Sequence, residues 1–369
     1  MKTVLDVTIC THSRGGVGRW VAGLSRGLTA VNPDHSSVDV PETHPIHATP
    51  VREARVLPFP FWTRIPLLRR KLYGAGRLEA TRAKRIRRFV GTPDVIHLSG
   101  VQPFGFGRKT VVTFFDDTAW TAPGSHTADT LFFSRRLESL IRQGASVVAI
   151  SEWTANRAID LFGLPPERVC SVGGAPDEMF SPGAPDPGLL CRLGLEPGRY
   201  LLHVGSFVPR KNIPFLAESF MRASVPGMKL VLAGLERWGD QQIPSSGSIV
   251  CRDDVSDADL LSLYRGARAL LLPSSEEGLG LPVLEAFACR TPVVSSDGGA
   301  LPETVGECGL VLPALDGDVW VRAIRDLASE ATVASLRAMA ETYCRITWED
   351  VGRKTLEFYR RITETAESH

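Results

Sequence analysis

The sequence predicts an α/β protein with two parallel sheets, one in each half of the chain. Three observations support this prediction. The 369 residues are enough for two domains of ordinary size. Short apolar runs alternate with helical patterns, which is typical of parallel sheets with crossover helices. The Pro- and Gly-rich stretch SPGAPDPGLL, at 181–190, is the best candidate for a linker and divides the chain into nearly equal halves.

The predicted strands are continuous apolar runs, which suit a sheet covered on both faces. In the first half they lie at 4–10, 95–100, 110–116, 146–151 and 168–174. In the second half they lie at 200–206, 229–235, 249–254, 269–274, 292–297 and 309–314. Helical patterns lie between the strands, for example at 17–30, 152–162, 212–223 and 257–266.

These elements predict two Rossmann-like domains, at 1–182 and 183–346, followed by a helical segment at 347–369. Thr347 is a candidate N-cap for that last helix. Ligands of such sheets bind beyond the carboxyl ends of the strands. The motifs that directly follow strands are therefore the candidate functional sites.

The composition of the chain argues against several classes of protein. The formal net charge is +1, so no overall field favours a nucleic-acid partner. The seven cysteines are widely spaced and form no C-x-x-C pair, which predicts a reduced protein without a disulfide framework or zinc site. The N-terminal MKTVLDVTIC meets polar residues too early for a signal peptide, and no run of about 18 apolar residues exists. We therefore expect a cytoplasmic protein.

The stretch SSEEGLGLPVLEAFACRTPVVSSDGG, at 274–299, places Glu277 and Glu285 on either side of a Gly-rich turn. Glu277 lies in the loop after a predicted strand, and Glu285 lies near the start of the helix that Pro282 begins. Backbone N–H groups from Gly280 to Val283 would form an anion site suited to a diphosphate. Each carboxylate can accept hydrogen bonds from a vicinal diol. A pair of solvated acids near a helix start is the alternative interpretation.

Two further loops are candidates for phosphate binding. In HVGSFVPRKN, at 203–212, Arg210 and Lys211 follow a strand and can neutralise a nucleoside diphosphate, unless they form a solvated basic turn. THSRGGVGRW, at 11–20, joins a strand to a helix as a phosphate-cradling loop would, or as a structural tight turn would. It is not G-x-G-x-x-G, which argues against a dinucleotide-binding enzyme.

The segment RIPLLRRKLYGAGRLEATRAKRIRR, from Arg64 to Arg88, is strongly basic. Such a charge can hold the protein at the periphery of an anionic membrane surface, or bind a lipid diphosphate acceptor. A solvated basic helix explains the same pattern equally well.

Taken together and in order, these motifs resemble the family 4 retaining glycosyltransferases of GT-B fold, and in particular a bacterial, mannosyltransferase-like subgroup. The resemblance runs through GGVGRW, AISEWTANRAIDLFGLPPERV, HVGSFVPRKN, the E-x7-E segment with ACRTPVVSSDGGALPE and GLVLPALD, and the closing TWEDVGRKTLEFYRRI. It implies two Rossmann-like domains that face a central cleft, with a C-terminal helix that crosses back to the N-terminal domain.

The resemblance also implies roles for individual residues. The N-terminal domain would take the acceptor and the C-terminal domain the donor. The expected catalytic residues are Asp116, Arg210, Lys211 and Glu277. The expected donor-binding residues are Gly15, Gly16, Gly205, Arg210, Lys211, Glu277, Gly278, Leu279, Gly280, Leu281 and Glu285. No cofactor and no metal ion are expected.

One stretch departs from the family pattern. VVTFFDDTAW, at 111–120, places Phe115 where the family usually has a histidine that touches the donor sugar. Phe115 cannot form a hydrogen bond, which points to a deoxysugar donor, another contact for the hydroxyl, or weakened catalysis. His126 is a candidate substitute on the acceptor side. The adjacent Asp116 and Asp117 resemble a metal pair, but the family needs no metal there.

The implied reaction is the retaining transfer of a sugar from a UDP-, GDP- or dTDP-linked donor to a hydroxyl. Acceptors of the glycan, glycolipid and natural-product classes all fit. The alternative is a catalytically degenerate protein that binds a nucleotide sugar without turnover, and Phe115 is its support. A related phosphorylase that uses pyridoxal phosphate would need a lysine to hold it, and lysines are sparse after Lys211.

Overall fold

A computed structural model describes the fold of the chain as two compact units. Unit 1 comprises Met1–Gly174 and Thr347–His369, and unit 2 comprises Ala175–Ile346. The structure describes residues 1–11, 15–39, 55–56, 91–99, 109–234, 243–244, 246–253 and 255–367. The basic segment from Arg64 to Arg88 lies outside the described residues.

The described part of unit 1 contains a seven-stranded parallel sheet. Its strand order is β3-β2-β1-β4-β5-β6-β7. The strands are β1 (Thr3–Asp6), β2 (His35–Asp39), β3 (Arg55–Val56), β4 (Val95–Leu98), β5 (Thr110–Phe114), β6 (Ser146–Ala149) and β7 (Val169–Ser171).

Local sequence signals mark both ends of the helix predicted at 152–162. Ser151 caps the helix over 152–162 through a reciprocal hydrogen-bonded box with Thr154, and Gly163 ends it in the left-handed conformation. The described α-helices of this unit are α1 (Gly16–Val31), α2 (Thr118–Thr121), α3 (Ala128–Arg142), α4 (Glu152–Phe162) and, from the C-terminal segment, α12 (Trp348–Glu367).

Unit 2 contains a six-stranded parallel sheet among its described residues, in the order β10-β9-β8-β11-β12-β13. The strands are β8 (Tyr200–Val204), β9 (Lys229–Ala233), β10 (Ile249–Arg252), β11 (Ala269–Leu272), β12 (Val293–Ser296) and β13 (Leu310–Leu312). Its described helices are α5 (Pro187–Arg192), α6 (Ile213–Ala223), α7 (Asp257–Gly266), α8 (Leu281–Ala288), α9 (Leu301–Val305), α10 (Gly317–Asp326) and α11 (Glu330–Glu341).

The central strands of unit 2 are largely apolar, which suits a sheet that packs on both faces. Successive side chains of a strand point to opposite faces. Tyr200 and Leu202 accordingly enter one core cluster, while Leu201 enters the other. The strand β11 divides in the same way, with Leu270 in the first cluster and Leu271 in the second. The prediction of α/β sheets buried on both faces is thereby confirmed for this unit.

The domain boundary differs from the predicted one. The chain passes from unit 1 to unit 2 between Gly174 and Ala175, rather than after residue 182. The Pro- and Gly-rich stretch at 181–190 is only partly a loop, because Asp186 caps the helix α5 and Pro187 begins it. Ser181 and Ala184 are also fastened to unit 2 by hydrogen bonds from Arg265.

The C-terminal helix α12 packs on α1 and therefore belongs to unit 1, as predicted. Thr347 caps it, since its hydroxyl accepts a hydrogen bond of 3.2 Å from the Asp350 N–H. The two helices approach closely at Gly27 and Gly352, where either glycine's Cβ would overlap the backbone of the other helix. Further along, the Tyr359 hydroxyl lies 2.5 Å from Nδ1 of the buried His97 on β4.

No described helix is both long enough and apolar enough to span a bilayer. The longest is α12, with 20 residues, and it carries charged residues along its length.

We expect Gly27→Ala to destabilise unit 1 by about 2 to 3 kcal/mol, because overpacked atoms that lie on backbone cannot move aside. Its Cβ would overlap the Trp348 carbonyl. Urea denaturation measures the loss. Gly124→Ala is the control, since a Cβ there meets no atom within 4 Å. Equal midpoints for the two variants would contradict the close helix contact.

Candidate active site

The candidate site in unit 2 is formed by loops that leave the carboxyl ends of neighbouring strands. The loop after β8 and the loop after β11 are joined by the Ser275 N–H, which donates to the Arg210 carbonyl at 2.8 Å. The Asn212 side chain donates to the Pro273 carbonyl, also at 2.8 Å. The loop after β12 joins through the Ala300 N–H, which donates to the Glu277 carbonyl at 2.8 Å. Three sequence motifs therefore form one hydrogen-bonded edge.

Two glycines allow these loops to approach each other. A Cβ on Gly298 would overlap the Ser274 carbonyl, and a Cβ on Gly299 would overlap the Glu277 carbonyl. Gly299 also has a φ of +64°, which an L side chain rarely adopts. The two glycines of SSDGG are thus required by the close backbone approach beside Glu277.

Glu277 is the centre of the site. Its carboxylate is only 6% exposed and forms an ion pair with each of the two predicted cations. Arg210 Nη1 donates to Oε2 at 3.0 Å and to the Glu276 carbonyl at 2.7 Å. Lys211 Nζ donates to Oε1, which also accepts from the Ser274 hydroxyl at 2.7 Å. The structure therefore brings Arg210, Lys211 and Glu277 together.

The two cations decide the protonation state of Glu277. Burial by itself would raise the pKa of the Glu277 carboxyl, but the charges of Lys211 and then Arg210 outweigh it and lower the pKa to about 2. Glu277 is therefore ionised at neutral pH. Two positive charges and one negative charge leave the cluster with a net charge of +1. An ionised carboxylate offers about four acceptor positions, and the three hydrogen bonds among the described residues occupy three of them.

A neutral histidine lies close to this cluster. His203, on β8, is fully buried, and burial followed by the nearby Lys211 charge lowers its pKa to about 4. Its Nδ1 lies 2.9 Å from the Leu271 carbonyl, so Nδ1 carries the proton and donates. The imidazole therefore adds no charge beside Lys211 at neutral pH.

Glu285 is buried on α8 and has a neutral partner. It is 4% exposed, and its Oε2 accepts a hydrogen bond of 2.8 Å from the Tyr264 hydroxyl. Tyr264 lies on α7, so the contact joins two helices of unit 2. The two glutamates of the E-x7-E motif thus have chemically different surroundings.

The Gly-rich turn between the two glutamates takes the predicted form. Gly280 has a φ of +87° and precedes α8, whose second residue is Pro282. No side chain in the described part of the chain caps this helix start by a hydrogen bond. The positive end of the helix dipole is therefore a suitable place for an anion.

Unit 1 brings two of the predicted residues together. The Thr118 hydroxyl donates to Asp116 Oδ1 at 2.5 Å, and His126 Nε2 lies 2.9 Å from the same hydroxyl. Because the hydroxyl has one proton and gives it to Asp116, His126 Nε2 must donate to Thr118. Asp116 and His126 are thus the ends of one hydrogen-bonded chain.

The neighbouring acids and aromatics of unit 1 have other partners. Asp117 is buried and accepts a hydrogen bond of 2.6 Å from Arg157 Nε. Phe115 packs edge-on against Trp20, with ring centroids 5.6 Å apart. Of the predicted phosphate loop, Gly15 precedes α1 and Gly16 begins it, whereas residues 12–14 lie outside the described residues.

The sequence did not identify several residues that build the site. Tyr264 contacts Glu285 from 21 residues away, and Asn212 contacts the Pro273 carbonyl from 61 residues away. Ser274 lies only three residues before its partner Glu277. The asparagine at position 212 is itself a signal of a special backbone position, because asparagine tolerates a positive φ better than most residues. In the structure Asn212 has a φ of +51°.

Comparison with known proteins identifies the class. Residues 14–173 match the family described as Glycosyltransferase Family 4, and residues 198–330 match the one described as Glycosyl transferases group 1. The chain is 30% identical over 274 residues to O-antigen chain mannosyltransferase B of Escherichia coli. That alignment covers 69% of this chain and 71% of the relative.

Solved structures share the fold. Sucrose-phosphate synthase from Thermosynechococcus elongatus superposes with a TM-score of 0.71 at 20% identity, over 99% of this chain and 100% of the other. Anabaena HepE in complex with UDP-glucose gives 0.68 at 15% identity, over all of both chains. The fold is GT-B, and the chain belongs to glycosyltransferase family 4. It is a glycosyltransferase, and the predicted likeness to bacterial mannosyltransferases is confirmed.

We expect Glu277→Gln to remove a pH-dependent part of the stability. A carboxyl pKa lowered from 4.5 to about 2 stabilises the fold above pH ~4.5, by about 3 kcal/mol, and this stability is lost as the pH falls through 2. The difference in unfolding free energy between wild type and variant should therefore shrink between pH 5 and pH 2.

The measurement is urea denaturation at a series of pH values. Glu307→Gln, at an exposed position of the same unit, is the matched control and should leave the profile unchanged. A difference between wild type and Glu277→Gln that stays constant down to pH 2 would contradict the ion-pair assignment.

Proposed function

We propose that this glycosyltransferase transfers a sugar from a nucleotide diphosphate sugar to a hydroxyl group with retention of the anomeric configuration. The observation that carries the proposal is the cluster of Arg210, Lys211 and Glu277, which has a net charge of +1. It belongs to the same hydrogen-bonded loops as the start of α8. Two cations and a helix start are the groups that a diphosphate requires.

The proposed donor site divides the work between the two glutamates. Arg210, Lys211 and the helix start after Gly280 stabilise the diphosphate as it leaves with growing negative charge. Glu277 uses its remaining acceptor position for a hydroxyl of the donor sugar. Glu285 accepts from the ribose hydroxyls. Backbone groups of Gly205 and of residues 278–281 complete the donor contacts.

The chemistry needs no dedicated base in this scheme. The transition state has oxocarbenium character, and the leaving phosphate takes the proton of the acceptor hydroxyl as the new bond forms. The protein acts by positioning and by electrostatic stabilisation. We propose that neither a metal ion nor another cofactor takes part, since Arg210 and Lys211 supply the positive charge that a metal would supply.

The acceptor is assigned to unit 1, where Asp116 and His126 form one hydrogen-bonded chain and Phe115 offers an apolar surface. A glycan hydroxyl is the first acceptor class to test, because the E. coli relative is named as an O-antigen chain mannosyltransferase. Glycolipid and natural-product acceptors are the next classes to test. We also propose that the protein is cytoplasmic and contacts the membrane peripherally.

The donor assignment is tested by thermal denaturation with UDP-, GDP- and dTDP-sugars, with and without magnesium. We expect one nucleotide to raise the melting temperature independently of magnesium, since a ligand at 100 times its Kd adds about 2.7 kcal/mol. Glu285→Ala should abolish the shift, whereas the exposed control Glu307→Ala should keep it.

No shift with any nucleotide sugar would contradict the donor assignment, and a shift that requires magnesium would contradict metal independence. Binding without turnover across an acceptor series would favour the degenerate alternative over the enzyme.

Retention is tested by the anomeric configuration of the product. With an α-linked donor we expect an α-glycoside, because no carboxylate is proposed to activate the acceptor for direct displacement from the opposite face. The one-bond carbon–hydrogen coupling at the anomeric carbon, measured by NMR on the isolated product, reports the configuration. A β-glycoside would contradict the proposed mechanism.

A further inference from the structure

The Tyr264 hydroxyl donates a hydrogen bond of 2.8 Å to the buried carboxylate of Glu285. We propose that Tyr264 is a positioning residue for nucleotide recognition, whose hydroxyl holds the Glu285 carboxylate ready for the vicinal diol of a ribose. This inference rests on the proposed donor site and extends it to a residue outside the loops that carry the binding motifs.

The Tyr264 hydroxyl is itself held firmly in place. The residue is fully buried in the core of unit 2. Its ring packs edge-on against Phe180, with centroids 5.6 Å apart and planes at 86°. Its backbone carbonyl accepts a hydrogen bond of 2.8 Å from the Thr291 hydroxyl. The packed ring and the held backbone together restrict the position of the hydroxyl.

The fixed hydroxyl restricts a carboxylate that would otherwise turn. The last torsion of a glutamate side chain is broad, so packing alone does not define the plane of its two oxygens. The hydrogen bond of 2.8 Å from Tyr264 to Oε2 fixes one oxygen and thereby the direction of the other. A carboxylate oriented before the ligand arrives binds a diol at a lower entropic cost.

The burial of Glu285 makes this orientation selective. A buried acceptor that is built for a hydroxyl penalises a ligand without one, because the polar group then stays desolvated. Glu285 is 4% exposed, so little solvent can compensate. Tyr264 should accordingly strengthen the binding of a ribonucleotide and have no effect on a nucleotide without the ribose hydroxyls.

The test is calorimetric titration of the full chain with UDP and GDP and with their 2′,3′-dideoxy counterparts. We expect Tyr264→Phe to weaken ribonucleotide binding about five- to tenfold, the range of one lost hydrogen bond, and to leave dideoxynucleotide binding unchanged. In the transfer reaction the KM for the donor should rise by the same factor at constant kcat, since the loss affects ground state and transition state equally.

Tyr200→Phe is the matched control. Tyr200 is also fully buried in unit 2, and its hydroxyl donates at 2.7 Å to the carbonyl of Leu263, the residue beside Tyr264. It should lose similar stability and keep wild-type affinity for both kinds of nucleotide. Weakened binding of the dideoxynucleotide by Tyr264→Phe, or an equal loss in Tyr200→Phe, would show a purely structural role and overturn the proposal.

The two proposals fail in different ways. If wild type binds none of UDP, GDP and dTDP, the donor site and the positioning role are both overturned. If it binds dTDP alone, whose deoxyribose has no vicinal diol, only the positioning role is overturned. If wild type binds a ribonucleotide and Tyr264→Phe binds it equally well, only the positioning role is overturned.

Discussion

The ion pairs of Glu277 with Arg210 and Lys211 are the interaction on which the candidate site depends. A carboxylate that is 6% exposed loses most of its hydration, and only close, well-bonded cations can compensate for that loss. Those cations lie on the loop after β8, whereas Glu277 lies on the loop after β11. These ion pairs hold the two loops together. The hydrogen bond from the Ala300 N–H to the Glu277 carbonyl also holds the loop after β12 against them. The same charges leave the net positive centre that a diphosphate requires.

Most of the fold could be predicted because its strands are apolar runs. The strands β8 and β11 are buried on both faces, so their positions follow from hydrophobicity alone. The strand β2 was missed because its sequence, HSSVD, is polar. Ser37 is buried there through a hydrogen bond of 2.6 Å to Ser25, a partner on α1 that no local pattern indicates. The short β3 pairs with β2 and was missed with it.

Some residues of the candidate site could be predicted because their residue types and their positions after strands are visible in the local sequence. Arg210, Lys211, Glu277 and Glu285 are ionisable residues that follow strands, and the turn at Gly280 has the composition of a helix start. The partners of these residues were not predictable. Tyr264 reads as one more apolar position of an amphipathic helix, and nothing near it in sequence indicates that its hydroxyl reaches α8. The need for glycine at position 299 was equally hidden, because it arises from the backbone of Glu277, which a Cβ on Gly299 would overlap.

The different partners of the two glutamates suit the two different roles proposed for them. Glu277 forms ion pairs with Arg210 and Lys211, so the three charges together are net positive. A phosphate can approach that cluster. Tyr264, which binds Glu285, brings no charge, and a carboxylate bonded to a neutral hydroxyl remains a strong acceptor for other neutral hydroxyls. These surroundings support the proposed diphosphate contact beside Glu277 and the proposed sugar diol contact beside Glu285. The start of α8, after Gly280, lies between the two glutamates in the sequence. A ligand with a diphosphate next to a ribose would need an anion site between its two sugar contacts.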